Sequence, residues 1–155
     1  MQYTSVFFLG AGGIGMSALE RYFKQIGCYV AGYDRTPSAL TDTLIKEGIA
    51  LHFEDPEQIP QLCRDPKTTL VVYTPAIPND NRELQWFRQG GFEIHKRAQV
   101  LGTLTKTKKG LCVAGTHGKT STSAMTAHVL HESAVDCNAF LGGITKNYGT
   151  NYILA

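Results

Sequence analysis

The stretch that most limits the fold is Ser5-Val6-Phe7-Phe8-Leu9, followed without a break by Gly10-Ala11-Gly12-Gly13-Ile14-Gly15. A continuous short apolar run suits a strand buried on both faces, and the glycines after it allow a turn tight enough to lead directly into a helix. Ile14, Ala18 and Tyr22 recur at helical spacing, with Leu19, Phe23 and Ile26 beside them, which predicts a helix with a broad apolar face ended by Gly27. Residues 28–33 then read as a second strand. Two strands joined through a helix pair in parallel, and a parallel sheet needs cover on both faces.

The alternation continues. A helix is expected over 38–47, stopped by Gly48, then a strand over 49–52, a strand over 69–73, a turn at Pro75 and Pro78, a helix over 82–89 and a strand over 92–94. The polar, basic stretch 105–110 marks a domain junction. Beyond it the pattern starts again: a strand over 111–114, a glycine turn, a helix from Lys119 to about Glu132, a strand near 138–141, a turn at Gly142-Gly143 and a strand over 152–155. The fold class expected is therefore α/β: a Rossmann-like parallel-sheet domain over 1–105, followed over 106–155 by the beginning of a second strand–glycine turn–helix unit of P-loop type. The second unit is short for a complete α/β domain, and an incomplete one is expected.

Composition removes several function classes. With 43% apolar and 18% charged residues the chain can bury a core, unlike a disordered segment. A net charge of +2 gives no reason to expect a nucleic-acid partner. The apolar runs are far shorter than a membrane span and the N-terminus lacks a secretion-signal pattern, so a cytoplasmic protein without a membrane partner is expected. Cys28, Cys63, Cys112 and Cys137 form no C-x-x-C pair and read as free thiols, mostly buried. His128 and His131 stand one helical turn apart with no third ligand in sight, so they read as a helix-surface pair rather than a metal site. Charge is uneven, however. Between Ile94 and His131 there is no Asp or Glu, while Lys96, Arg97, Lys106, Lys108, Lys109 and Lys119 all fall there, a positive field suited to a small polyanion.

Both glycine turns have the chemistry of phosphate sites. Gly10, Gly12 and Gly15 match G-x-G-x-x-G between a strand and a helix, where glycines admit close approach of a ligand and the helix N-terminus offers unpaired N–H groups to a pyrophosphate. Asp34, at the end of the second strand, can accept from a ribose hydroxyl. In Val113-Ala114-Gly115-Thr116-His117-Gly118-Lys119-Thr120-Ser121 the spacing between the glycines is shorter than the strict phosphate-loop pattern. Even so, Lys119 can meet β and γ phosphates and the Thr120 hydroxyl can ligate Mg²⁺. The competing reading is a turn that merely caps its helix with threonine. A dehydrogenase needs only the first loop, whereas a kinase or ligase acting on a nucleotide-linked substrate needs both.

The segments "FFLGAGGIGMSALERYF", "GYDRTPS", "VVYTPAIPNDN", "KRAQVLG" and "VAGTHGKTSTS", in this order and spacing, resemble the N-terminal part of the bacterial Mur ligases, whose ATP loop has the shorter G-T-x-G-K-[ST] form. His117 resembles the branch that holds the alanine-adding and muropeptide-recycling enzymes, and "GGITKNYGTNYILA" resembles the family's central domain.

The resemblance implies an ATP-dependent, amide-forming ligase of peptidoglycan synthesis that joins L-alanine to the lactyl carboxylate of UDP-N-acetylmuramate through an acyl phosphate. Gly10, Ala11, Gly12, Gly13, Ile14 and Gly15 would cradle the UDP pyrophosphate, with Asp34 near the nucleoside and Thr74 and Arg97 lining the sugar-nucleotide side. Gly115, Thr116, His117, Gly118, Lys119, Thr120 and Ser121 would hold ATP, with Lys119 and Thr120 serving the chemistry and Thr120 meeting Mg²⁺. After the second loop the only carboxylates are Glu132 and Asp136, so a second Mg²⁺ ligand and the L-alanine site are expected outside this chain, which would be inert alone. A recycling ligase of the same family, an NAD-binding module and a purely regulatory binding domain are the competing readings.

Overall fold

In the computed structural model, residues 3–54 and 59–155 are described. The elements run β1 (Ser5–Leu9), α1 (Ile14–Gln25), β2 (Tyr29–Tyr33), α2 (Ala39–Lys46), β3 (Ala50–His52), a 3-10 turn (Gln61–Cys63), β4 (Thr69–Tyr73), α3 (Arg82–Gln89), β5 (Glu93–Lys96), α4 (Arg97–Thr105), α5 (Lys119–His131), β6 (Ala139–Phe140) and β7 (Tyr152–Ile153). The first five strands form one parallel sheet in the order β3-β2-β1-β4-β5. Among the described residues no helix is long and apolar enough to cross a membrane.

Alternation along β1 builds two cores. Val6 and Phe8 point to one face, where they meet Leu19 and Phe23 of α1, Leu44 of α2 and Val100 of α4. Phe7 and Leu9 point to the other, against Leu84 and Phe87 of α3 and Cys63 of the 3-10 turn. Both faces are fully buried, as an all-parallel sheet requires, and this is why β1 has no polar alternation to show. The helix starts follow local chemistry: Ser38 accepts from the Thr41 N–H at the head of α2, and Asn81 accepts from the Leu84 N–H at the head of α3.

Three expectations need correction. Residues 111–114 do not form a strand: they run as extended chain with Leu111 73% exposed, because a strand exists only where a neighbour completes its ladder, and no described strand lies beside this segment. Cys112 is consequently exposed, while Cys63 is buried and Cys28 and Cys137 are half-buried. Finally, α4 was not expected. Its helix interior carries Gly102 and Thr103, both weak helix formers, and it is started by Gln99, whose side chain accepts from the Lys96 N–H at 2.8 Å.

The chain after α5 returns to the first unit. β6 and β7 pair antiparallel, and Leu141 and Ile153 pack on Ala127 of α5. Tyr152 and Phe140 close against Tyr22 of α1 through ring contacts.

Candidate functional site

Four of the expected residues share one structural address. Gly10 follows the last residue of β1, Asp34 that of β2, Thr74 that of β4 and Arg97 that of β5. The register places Leu9 opposite both Tyr33 and Tyr73, and Tyr73 opposite Lys96, so these four positions lie in one row along the carboxyl edge of the sheet. The row spans β1 and β4, where the strand order changes direction and an α/β sheet opens a crevice.

Each glycine of the first loop answers a different neighbour. Gly10 takes φ +93°, a conformation L side chains rarely adopt, and a Cβ there would lie 2.8 Å from the Thr74 Oγ1. At Gly12 a Cβ would lie 2.8 Å from Asp34 Oδ2, and at Gly15 it would lie 3.0 Å from the Arg97 Nη1. The loop is held from beneath by the Gly10 and Ala11 N–H groups, which both donate to the Tyr33 carbonyl, at 2.8 and 3.0 Å. Asp34 closes it from the side, accepting from the Gly12 N–H at 2.7 Å through Oδ2 and from the Thr36 N–H at 2.9 Å through Oδ1. A carboxylate has roughly four acceptor positions, so Asp34 keeps capacity for a ribose hydroxyl while it shapes the loop.

Above this loop α1 begins at Ile14, with Gly13 as its N-cap and no side-chain cap. Its first turn therefore presents backbone N–H groups, and the Arg97 guanidinium lies against Gly15 in that same turn. A helix N-terminus beside a guanidinium is a combination that favours a pyrophosphate. Gly32 was missed by sequence reasoning. A Cβ on it would lie 2.6 Å from the Phe8 carbonyl and 3.0 Å from the Ala11 Cβ, so it allows Ala11 to tuck under the loop.

The second loop is a turn closed around Lys119. Gly118, at φ +75°, is the N-cap of α5, which carries no side-chain cap; the threonine-cap reading is not what forms. The Lys119 ammonium folds into the turn and donates to the Gly115 carbonyl at 2.7 Å and more weakly to Thr116 at 3.5 Å. Thr116, His117, Thr120 and Ser121 are exposed around it. Thr120 is backed by the loop after β6: a Cβ on Gly142 would lie 3.1 Å from its Oγ1, and one on Gly143 3.3 Å from its Cγ2. No group of three or more His, Cys, Asp or Glu side chains among the described residues is placed to hold a metal ion. His128 bonds the Tyr148 hydroxyl at 2.7 Å and His131 the Asp136 carboxylate at 3.2 Å, so the two rings have separate hydrogen-bond partners, although both also lie against the Tyr148 ring.

Comparison with known proteins places these loops in context. The model of the Mur ligase family, catalytic domain, matches residues 5–109. The UDP-N-acetylmuramate–L-alanine ligase of Phocaeicola vulgatus is 67% identical over 152 residues, 97% of this chain and 33% of that protein. The enzyme of the same name from Parabacteroides distasonis is 60% identical over 153 residues, 98% of this chain and 33% of its own. Among solved structures, the UDP-N-acetylmuramate-alanine ligase MurC of Thermotoga maritima superposes with a TM-score of 0.82 at 35% identity, covering 96% of this chain and 34% of that one. The UDP-N-acetylmuramate:L-alanyl-gamma-D-glutamyl-meso-diaminopimelate ligase of Neisseria meningitides superposes at 0.81 with 25% identity, covering 97% and 46%. The chain thus spans about a third of the length of the curated relatives it matches.

Proposed function

The chain belongs to the Mur ligase family, and from that premise we propose that it carries the sugar-nucleotide site and the ATP loop of an enzyme joining L-alanine to UDP-N-acetylmuramate in peptidoglycan synthesis. The observation that supports this is the row Gly10, Asp34, Thr74 and Arg97 along one sheet edge, with a second glycine turn carrying Lys119 and Thr120 at the head of α5 later in the same chain. On this reading residues 1–105 bind the UDP-sugar and 106–155 begin the ATP-binding unit. On this reading the reaction draws on ATP and takes place in the cytoplasm.

Each residue then has a physical task. The N–H groups of the α1 first turn and the Arg97 guanidinium hold the pyrophosphate, Asp34 accepts from the nucleoside, and Thr74 faces the sugar side of Gly10. Gly115 to Ser121 wrap the ATP phosphates, with Lys119 leaving its loop carbonyls for the β and γ oxygens. The γ-phosphoryl group passes to the lactyl carboxylate, forming an acyl phosphate and ADP. The L-alanine amine then attacks the acyl carbon, an amide forms and inorganic phosphate leaves. Lys119 serves the first step by positioning and by meeting negative charge as it builds on the phosphoryl oxygens. The Thr120 hydroxyl would offer Mg²⁺ a hard oxygen ligand, and the ion would supply further charge neutralisation.

Calorimetric titration with UDP-N-acetylmuramate, run beside NADH and ATP with Mg²⁺, tests the proposal. Saturable binding of the sugar nucleotide and of ATP is expected. Binding of NADH with none of the UDP-sugar would overturn it and make the first loop a dinucleotide module.

A further inference from the structure

Asn151 is fully buried, lies outside both loops, and is bonded on every side. Its Nδ2 donates to the Ile14 carbonyl at 2.6 Å and to Ser17 Oγ at 3.0 Å, both in the opening of α1. Its Oδ1 accepts from Arg21 Nη1 at 2.7 Å, and because arginine only donates, this contact fixes which end of the amide faces which partner. Arg21 is itself held in a two-bond fork by Glu47, at 2.9 and 3.0 Å. A buried amide with all three contacts satisfied holds α1 in one position, since shifting the helix would strand donors away from water.

The other end of the same short segment touches the second loop. The Leu141 N–H donates to the Asn151 carbonyl at 2.9 Å, and the next two residues, Gly142 and Gly143, are the backbone against which Thr120 rests. A larger residue at either glycine would push directly on Thr120. Thr120, Gly142, Leu141, Asn151 and Ile14 therefore form an unbroken sequence of contacts from the ATP loop to the first turn of the sugar-nucleotide loop. Leu141 and Ile153 pack on Ala127 of α5, which ties that segment to the helix that the second loop opens.

We propose that Asn151 is a positioning residue: through the β6–β7 segment it sets the placement of the α1 first turn according to whether the ATP loop is filled, so that the two nucleotides favour each other's binding. This deepens the ligase reading and rests on it. Coupling of this kind is reciprocal, and it needs a physical element that both sites bias.

The test is calorimetry on the protein at its full natural length, titrating UDP-N-acetylmuramate with and without a saturating non-hydrolysable ATP analogue and Mg²⁺. The analogue is expected to tighten the sugar nucleotide by about tenfold in the unaltered protein. Asn151→Asp keeps the side-chain size and the Arg21 contact but sets an acceptor against the Ile14 carbonyl. It should bring that factor to within about twofold of one and leave the analogue's own affinity unchanged. Ser17→Ala, which removes the hydroxyl that accepts from Asn151 and donates to the Ile14 carbonyl at 2.7 Å, should lower the factor by about threefold, and it supplies the result if Asn151→Asp does not fold. A purely structural role would lower the melting temperature of both variants and leave the factor where it was, which overturns the assignment, as does a factor of one in the unaltered protein. If the unaltered protein binds no UDP-N-acetylmuramate at all, it is the ligase reading that falls.

Discussion

The Gly12 N–H donates to Asp34 Oδ2 at 2.7 Å, and the same oxygen would lie 2.8 Å from a Cβ at position 12. Loop and carboxylate are therefore fitted to each other with no room for a methyl group. In Gly12→Ala either Asp34 or the loop backbone has to move, and the bond that sets the loop is lost. We expect UDP-N-acetylmuramate to bind at least about tenfold more weakly, a change of roughly 1.4 kcal/mol, with ATP affinity unaltered. Calorimetry reads both values, and an undiminished sugar-nucleotide affinity would count against the site.

Lys119 stands apart from that arrangement. Among the described residues its ammonium bonds only carbonyls of its own turn, so on the proposed reading Lys119→Ala would remove a charge that meets ATP without disturbing the first loop. ATP binding should weaken by about 1.5–3 kcal/mol, the range for a charged hydrogen bond, and UDP-sugar binding should stay the same. Lys119→Arg is not expected to restore ATP binding, because a planar fork does not fit a turn shaped around a compact ammonium. Equal loss of both ligands would show that the turn supports the whole fold instead.

Glu20 gives a pH dependence with a definite sign. It is fully buried on α1, neither carboxyl oxygen has a hydrogen-bond partner among the described residues, and burial raises its pKa well above the ordinary 4.5. Arg21 opposes that rise, while Asp34 and Glu47 add to it. A folded-state pKa above the unfolded one means that stability is fully present below 4.5 and falls as pH rises toward the raised value, at up to about 1.4 kcal/mol per pH unit. Glu20→Gln should therefore stabilise the protein at pH 7, and the difference should vanish near pH 4. Urea unfolding at the two pH values checks this; a variant less stable at pH 7 would mean that Glu20 is charged and paired.

The four thiols should separate by accessibility. Cys112 is exposed in the extended chain before the second loop, whereas Cys63 is buried and its pKa is pushed up to about 12 by that burial. A thiol reagent at pH 8 should modify Cys112 rapidly and Cys63 only after denaturation. Rapid labelling of Cys63 in the native protein would contradict the packing of the 3-10 turn against β1.

Much of the sheet was legible because its signals are local. Phe7, Phe8 and Leu9 carry enough apolar surface to demand burial on both faces, and Ser38 and Asn81 announce their helices by capping chemistry that needs no tertiary partner. Of the four residues along the sheet edge, Gly10 and Asp34 were marked by the glycine turn and the strand end in the sequence itself, whereas Thr74 and Arg97 were expected only from the resemblance to the Mur ligases. Leu111 to Ala114 has the same apolar character as β1 but no described neighbour to bond, and a strand is a relationship between segments rather than a property of one. Asn151 left no signal, since nothing in Thr150-Asn151-Tyr152 distinguishes a buried amide from a loop residue until Ile14, Ser17 and Arg21 surround it.

Between Lys96, the last residue of β5, and Arg97, the first of α4, there is no connecting residue at all. The guanidinium against Gly15 is thus aimed by chain length as much as by side-chain chemistry. Adding or deleting one residue at this junction would turn every later position of the helix by about 100° and swing the arginine off the loop. Substitutions nearby can be absorbed by a flexible side chain, but a change of length cannot, so natural variation in this protein should avoid insertions and deletions here.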